Sequence, residues 1–175
     1  MKHVIIYATR KGYTGECAER LKQRIGESAE LLDIGRKKRA DLSPYDGVII
    51  GGSIRASQLD RRVKTFLRLH QEELLGKPLL GLFLCSLEQQ QWQELLNQHV
   101  PKAVIDHASA VGWFGGRIDL SQFSPPMRFL LKKVTKSSES MFREQREHIE
   151  TFADAYLKEM GRLVTPSVNG AEGGA

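Results

Sequence analysis

The sequence predicts an α/β fold in which a doubly wound parallel sheet of five strands carries helices on both faces. Two observations lead to this prediction. Short apolar runs rich in β-branched residues recur along the 175-residue chain, and segments with helical spacing separate them. Strands that alternate with helices form parallel sheets through right-handed crossovers, which place helices on both faces. The predicted strands are residues 3–8, 29–34, 45–52, 78–85 and 108–116.

The helices follow from apolar residues at intervals of three and four. The first predicted helix follows the first strand, with Thr14 as its N-cap and a face formed by Cys17, Ala18, Leu21 and Ile25. The second has a face formed by Val63, Phe66, Leu67, His70 and Leu74, and the third contains Trp92, Leu95 and Leu96. The last ends at Gly161 and carries one stripe formed by Phe142, Ile149, Phe152, Ala153, Tyr156, Leu157 and Met160.

Three details refine this arrangement. The fourth strand is almost wholly apolar and is therefore expected at the centre of the sheet, whereas residues 29–34 include two acids and are expected nearer an edge. The third strand ends in Gly51 and Gly52, where a ligand or another backbone must come close. We interpret His70 as a satisfied core or boundary residue rather than a ligand, and Trp92 as a core residue.

The turn after the first strand has the composition of a phosphate-binding loop. Residues 9–14 read Thr-Arg-Lys-Gly-Tyr-Thr, which places hydroxyls, a glycine and two cations at the positive end of a helix dipole. The spacing fits neither a nucleoside-triphosphate loop nor a dinucleotide turn. An ordinary capped turn needs only Gly12 and Thr14, so the pattern alone leaves that alternative open.

Composition limits the classes of function. The length fits one domain, and no apolar run approaches the roughly 20 residues of a membrane span. Cys17 and Cys85 are too few for a disulfide framework, and the histidines show no metal-ligand spacing. The chain starts without a signal-peptide pattern, so we expect it in the cytoplasm. Its net charge of +5 can indicate an anionic membrane surface or simply a mildly basic exterior, and we expect no nucleic-acid partner.

Two motifs carry a resemblance to a known family. The segments Ile5 to Thr14 and Ile50 to Arg55, the latter reading Ile-Gly-Gly-Ser-Ile-Arg, resemble the menaquinone-dependent protoporphyrinogen oxidases, which are flavodoxin-like enzymes of haem biosynthesis. The resemblance covers residues 2–160 and implies a flavodoxin-like domain over residues 1–163 that binds FMN. Residues 164–175 are mostly small or polar and rich in glycine, so we expect a disordered tail there.

The resemblance also implies which residues hold the cofactor. Backbone and hydroxyl donors of six residues would wrap the phosphate: Thr9, Arg10, Lys11, Gly12, Tyr13 and Thr14. Two further loops would border the flavin ring from opposite sides, with Ser53, Ile54, Arg55 and Ala56 in one and Ser86, Leu87 and Glu88 in the other. No catalytic side chain is assigned, because the cofactor would supply the chemistry. Residues 56–59 lack the aromatic side chain that often stacks on the flavin, which favours an enzyme over a shielded carrier.

A basic insertion at residues 117–141 separates the fifth strand from the last helix. Within it, Met127, Leu130, Leu131 and Val134 share one helical face, and cations occupy the others. Residues 127–136 could therefore contact the inner face of the cell membrane from the cytoplasm, or simply cover the sheet edge. The sequence leaves both alternatives open.

The resemblance implies an FMN-dependent oxidoreductase that converts protoporphyrinogen IX to protoporphyrin IX and passes electrons to a quinone. The alternative is a flavodoxin-type electron carrier or redox partner with no substrate of its own. A phosphoacceptor signalling domain would require acids where Tyr7, Ala8 and Thr9 stand, and a low-molecular-weight phosphatase would require a C-x-x-x-x-x-R loop that is absent.

Overall fold

A computed structural model describes residues 1–9, 12–35, 40–87, 89–118, 121, 124–126, 128–129 and 141–165. The strands are β1 (His3–Tyr7), β2 (Ala29–Asp33), β3 (Gly47–Arg55), β4 (Gln58–Leu59), β5 (Leu79–Cys85), β6 (Ala110–Trp113), β7 (Gly115–Ile118) and β8 (Met141–Glu144). The helices are α1 (Tyr13–Ile25), α2 (Arg61–Leu69), α3 (Gln71–Leu75), α4 (Trp92–His99), α5 (Lys102–His107) and α6 (Arg146–Val164).

Five strands form the parallel sheet that the sequence predicts, in the order β2-β1-β3-β5-β6. Ile5 lies opposite Leu31 on β2 and Ile49 on β3, and Ile49 lies opposite Gly81 on β5. Strand β2 lies on one side of β1 and β3 lies on the other, so the order in which the strands are added reverses between β1 and β3. In open α/β sheets, ligands bind beyond the carboxyl ends of the strands at such a switch point.

Apolar side chains cover both faces of the sheet. Because successive strand residues point to opposite faces, Ile5 joins one buried cluster while Val4 and Ile6 join the other. The cluster of Ile5 contains the apolar residues of α1 and α6, and the cluster of Val4 contains those of α2 through α5. Each fully buried aliphatic side chain contributes roughly 1.5–3 kcal/mol. Helices on both faces are thus confirmed, and Cys17 and Cys85 are both buried.

Strand β5 is an interior strand between β3 and β6, and all seven of its residues are buried, as its apolar sequence predicts; the middle of the sheet is β3. Trp92 packs against the apolar cluster that contains Val4, which fits its interpretation as a core residue. His70 stacks on the ring of Phe66 with centroids 4.4 Å apart, and its Nδ1 lies 2.9 Å from a carboxylate oxygen of Glu73. These contacts confirm that His70 is a satisfied boundary residue.

Several local predictions are wrong. The N-cap of α1 is Gly12, and Thr14 lies inside the helix. The second predicted helix is two helices, α2 and α3, which meet at His70. Phe142 lies on β8 with 58% of its surface exposed, and Gly161 lies within α6. The fifth predicted strand is interrupted at Phe114, where the chain leaves the main sheet and β7 begins.

Strands β7 and β8 form a separate antiparallel ribbon that the sequence did not predict. The ribbon joins the two ends of the basic insertion, since Arg117 lies opposite Phe142 and Ile118 lies opposite Met141. Most of residues 127–136, including the predicted apolar face, lie outside the described residues, as do residues 166–175 of the expected tail. Among the residues described, no helix has the length and apolar character needed to cross a membrane.

Candidate functional site

Three loops meet at the carboxyl edge of the sheet. They follow β1, β3 and β5, which are adjacent parallel strands. Two groups of the residues predicted to hold the cofactor lie beside these loops. Tyr13 and Thr14 are in the first turn of α1, and Ser53, Ile54 and Arg55 form the end of β3, where the sequence predicted a loop. Arg10, Lys11 and Glu88 lie outside the described residues. The fold therefore brings the three predicted loops to one edge, at the switch point between β1 and β3.

In the described part of the turn after β1, the first N–H groups of α1 have no side-chain cap. The N–H of Gly12 donates to the hydroxyl of Thr9 at 3.0 Å, and Gly12 has a φ of 90°, which disfavours side chains with a Cβ. The first helical hydrogen bond runs from the N–H of Glu16 to the carbonyl of Gly12. No described side chain caps the helix. The N–H groups of residues 13–15 therefore have no acceptor within the helix, and they form the positive end of its dipole.

The side chains of Tyr13 and Thr14 anchor this turn to the core. The hydroxyl of Tyr13 donates to the carbonyl oxygen of Phe114 at 2.6 Å, and burial raises the pKa of this hydroxyl. Thr14 is 2% exposed, and burial raises the pKa of the neighbouring thiol of Cys85. Both side chains are buried and hold the first turn of α1 against the core.

The loop after β3 is a tight hairpin. Strand β3 runs past the end of β1 and pairs with β4 so that Arg55 lies opposite Gln58. The turn residues Ala56 and Ser57 have φ values of 47° and 57°, a conformation that glycine or asparagine adopts more easily. The Nε2–H of His99, the last residue of α4, donates to the carbonyl of Ser57 at 2.8 Å and so connects the turn to α4.

Of the hairpin residues predicted to border the flavin ring, two are exposed and two are covered. Arg55 and Ala56 are exposed at the end of the hairpin, whereas Ile54 is only 7% exposed and Ser53 is partly buried. The carbonyl of Ser53 accepts a hydrogen bond from the N–H of Asp60 at 3.0 Å. The hairpin therefore presents a small, non-aromatic tip, in agreement with the absence of a stacking residue in this part of the sequence.

The loop after β5 is held by the ribbon and by β6. The indole N–H of Trp113 donates to the carbonyl and the hydroxyl oxygens of Ser86, both at 3.0 Å. The guanidinium of Arg143 donates to the carbonyl of Leu87 at 3.3 Å. A Cβ placed on Gly116 would lie 2.6 Å from the carbonyl carbon of Ser86, so only glycine fits there. The ribbon is thus in direct contact with this loop.

An ion-pair cluster joins the opposite face of the ribbon to α1. Arg117 on β7 donates to both carboxylate oxygens of Glu16 and lies 3.4 Å from a carboxylate oxygen of Glu144. Its guanidinium carbon lies 5.5 Å from the ring centroid of Tyr13. Sequence reasoning missed this arrangement because Arg117 and Glu16 are 101 residues apart, and no local pattern links them.

The chemistry of the carboxyl edge of the sheet fits flavin mononucleotide (FMN). Uncapped N–H groups at a helix N-terminus bind phosphate, and backbone-lined loops suit the polar edge of a flavin ring. Within the described part of the chain, no group of histidines, cysteines and acids could hold a metal ion.

Comparison with known proteins places the chain in a family. The family model for the flavodoxin domain matches residues 4–144. Protoporphyrinogen IX dehydrogenase [quinone] of Escherichia coli strain K12 is 31% identical over 81 residues, and the same identity is found in the enzyme of strain O157:H7. The matched segment spans 45% of this chain and 45% of each of these relatives.

Solved structures show the same fold at low identity. Oxidised flavodoxin 1 from Bacillus cereus is 18% identical, with a TM-score of 0.57 over 90% of this chain and 98% of its own. A flavodoxin, WrbA-like protein from Agrobacterium tumefaciens is 15% identical, with a TM-score of 0.54 and the same coverage. Flavodoxin domains bind FMN, which confirms the predicted cofactor. The chain therefore belongs to the flavodoxin-domain family of FMN-binding oxidoreductases.

Proposed function

We propose that this protein is an FMN-dependent oxidoreductase that oxidises protoporphyrinogen IX and reduces a quinone. The observation that carries the proposal is the 31% identity over 81 residues to a protoporphyrinogen IX dehydrogenase [quinone]. Two hydrogens leave the porphyrinogen in each cycle, and the quinone becomes a quinol. When bound, FMN supplies the hydride acceptor for the first half of the cycle and the donor for the second.

The chain's own residues bind and orient the flavin in this proposal. The N–H groups of Tyr13, Thr14 and Gly15 bind the phosphate, together with the loop of residues 9–12. Residues 53–56 and 86–88 border the flavin ring from opposite sides. Because the hydroxyl of Tyr13 already donates to Phe114, this residue contributes its backbone N–H to the phosphate.

An accessible flavin face is what an enzyme requires, and the hairpin after β3 supports it. Its tip consists of Ala56 and Ser57, whose small side chains leave room beside the ring for a substrate. The basic residues of the insertion suit the carboxylates of a porphyrinogen, because arginine and lysine form charge-assisted hydrogen bonds with such groups. The contact of residues 127–136 with the inner face of the cell membrane, and the location of the protein in the cytoplasm, stay predictions.

Anaerobic half-reactions test this function. Protein loaded with FMN is mixed with protoporphyrinogen IX, and the flavin absorbance is followed before and after addition of a menaquinone analogue. We expect bleaching by the porphyrinogen and recovery of the oxidised spectrum with the quinone. Free FMN at the same concentration is the control for spontaneous porphyrinogen oxidation.

A different result would identify an electron carrier. If dithionite reduces the bound flavin but protoporphyrinogen IX does not, the proposed substrate is wrong. Recovery of the oxidised flavin with a redox protein but not with the quinone would contradict the proposed acceptor.

A further inference from the structure

A carboxylate lies beside the candidate phosphate site. Glu16 is in the first turn of α1, and its Oε1 would be 3.6 Å from a Cβ placed on Gly12. The side chain therefore turns back towards the start of the helix, where the positive end of the dipole attracts negative charge. An anion held by the N–H groups of residues 13–15 would thus have Glu16 as a neighbour of the same sign.

Arg117 is placed to offset this charge. It donates from Nη1 to Oε2 of Glu16 at 2.9 Å and from Nη2 to Oε1, which is a bidentate pair. The hydrogen bond with Glu16 is the largest cause that raises the pKa of Arg117, so the guanidinium stays charged. The side chain of Arg117 is 19% exposed, whereas that of Glu16 is 47% exposed.

The position of Arg117 is constrained from three sides. Glu144 on the neighbouring strand lies 3.4 Å from Nη1, and the ring of Tyr13 lies beneath the guanidinium. Tyr13 is itself held by its hydrogen bond to Phe114. The guanidinium is therefore fixed between the ribbon and the first turn of α1, and it fixes the carboxylate of Glu16 in turn.

We infer that Arg117 is a positioning residue for the FMN phosphate that acts through Glu16. It neutralises and holds the carboxylate of Glu16, and so it removes a repulsion that the phosphate dianion would otherwise meet at the N-terminus of α1. The inference rests on FMN as the cofactor. It assigns to the basic insertion a role in cofactor binding, because Arg117 is the first residue of that segment.

The test is a double-mutant cycle on flavin affinity. Dissociation constants for FMN and for riboflavin, which lacks the phosphate, are measured from the quenching of flavin fluorescence. We expect Arg117→Met to weaken FMN binding by about tenfold, because a carboxylate a few ångströms from a dianion repels it by that order even in a water-like dielectric. Riboflavin affinity should change by less than about twofold, since riboflavin carries no phosphate charge.

The second half of the cycle distinguishes an action through Glu16 from a direct contact. In a Glu16→Gln background, Arg117→Met should leave FMN affinity within about twofold of wild type, because no carboxylate remains to be neutralised. Glu16→Gln alone should bind FMN at least as tightly as wild type. Arg117→Lys keeps the charge and should recover most of the affinity lost in Arg117→Met.

Arg162→Met is the matched control. Arg162 also pairs with a glutamate, Glu159, but lies at the far end of α6, so its loss changes the net charge equally without touching the site. Three results would overturn the inference: FMN binding by the double variant more than about twofold weaker than that of the wild type, equal losses for FMN and riboflavin in Arg117→Met, or weaker FMN binding by Glu16→Gln alone. The last variant keeps the test decisive if Arg117→Met fails to fold. Failure of the wild-type protein to bind FMN would refute the proposed function itself and would be visible before any variant is made.

Discussion

Substitution of Gly116 by alanine tests whether the ribbon is seated on the loop after β5. A Cβ at this position would lie 2.6 Å from the carbonyl carbon of Ser86, 2.7 Å from the nitrogen of Leu87 and 2.8 Å from the carbonyl oxygen of Ser86. All three neighbours are backbone atoms, so no side-chain rotation relieves the clash. Ordinary van der Waals contact begins at 3.4 Å, and the ribbon or the loop must therefore move by about 0.8 Å.

Overpacking of this kind destabilises a protein by about 1–3 kcal/mol. For a chain of this length, each kcal/mol lowers the melting temperature by about 2–4 °C, so Gly116→Ala should lower it by about 4–8 °C if the penalty is near the middle of that range. Gly161→Ala is the matched control. A Cβ there would meet nothing within 4 Å in the last turn of α6, so this substitution should leave stability unchanged or raise it by up to about 0.5–1 kcal/mol.

The displaced loop contains Ser86 and Leu87, which we propose to border the flavin ring. Gly116→Ala should therefore weaken FMN and riboflavin equally, in contrast to Arg117→Met, which should affect FMN alone. Thermal unfolding followed by circular dichroism and fluorescence titration with both flavins provide the measurements. An unchanged melting temperature, or flavin affinities equal to those of the wild type, would refute the contact between the ribbon and the loop.

Four further substitutions, one of them a control, test other parts of the structure. Ala56→Gly should raise the free energy of unfolding in urea by about 1 kcal/mol, because Ala56 has a φ of 47°, whereas Ala103→Gly in α5 should lower it by a similar amount. Tyr13→Phe removes the hydrogen bond to Phe114 and should lower the free energy of unfolding in urea by about 1 kcal/mol. It should change FMN affinity by less than about threefold. A larger change in FMN affinity would show that the hydroxyl of Tyr13 contacts the phosphate. Burial lowers the pKa of His3 in the folded protein below its ordinary 6.5. As the pH falls, His3 therefore takes up its proton in the unfolded chain at a higher pH than in the folded protein. Stability should fall as the pH drops below about 6.5 towards the lowered pKa. Urea midpoints at two pH values should show a smaller loss for His3→Gln than for the wild type.

The sheet was predictable because most of its strands are self-contained apolar runs, with β2 and its two acids as the exception. Residues such as Val4, Ile5 and Ile6 are β-branched and adjacent, and burial on both faces requires such a run in a parallel sheet. The same logic placed the three loops at one edge, since parallel neighbours end together. The site was predictable to this extent because its position depends on topology.

The ribbon was not predictable in the same way. Phe142 lies seven residues before Ile149, a spacing that fits a helical stripe, and this placed it wrongly in the last helix. In the structure Gln145 separates β8 from α6, and its N–H donates to the carbonyl of Phe114. The pairing of β7 with β8 joins residues far apart in the chain, and short strands rich in glycine and charge carry no alternating pattern.

The N-cap of α1 shows where a local rule is overridden. Thr14 is a favoured capping residue, yet Gly12 occupies that position because the loop needs a residue with positive φ. Thr14 is instead buried in the first turn. A helix start without a side-chain cap is what a phosphate site requires, and no propensity scale distinguishes it from an ordinary turn.

Comparison of FMN and riboflavin affinity in the wild type and in Gly12→Val tests the central claim most directly, namely that the first turn of α1 binds the cofactor's phosphate. A β-branched side chain is strongly disfavoured at a φ of 90°, so this variant deforms the loop. We predict that the wild type binds FMN at least about tenfold more tightly than riboflavin and that Gly12→Val abolishes this preference. Equal affinity of the wild type for the two flavins, or an unchanged preference in Gly12→Val, would contradict the account.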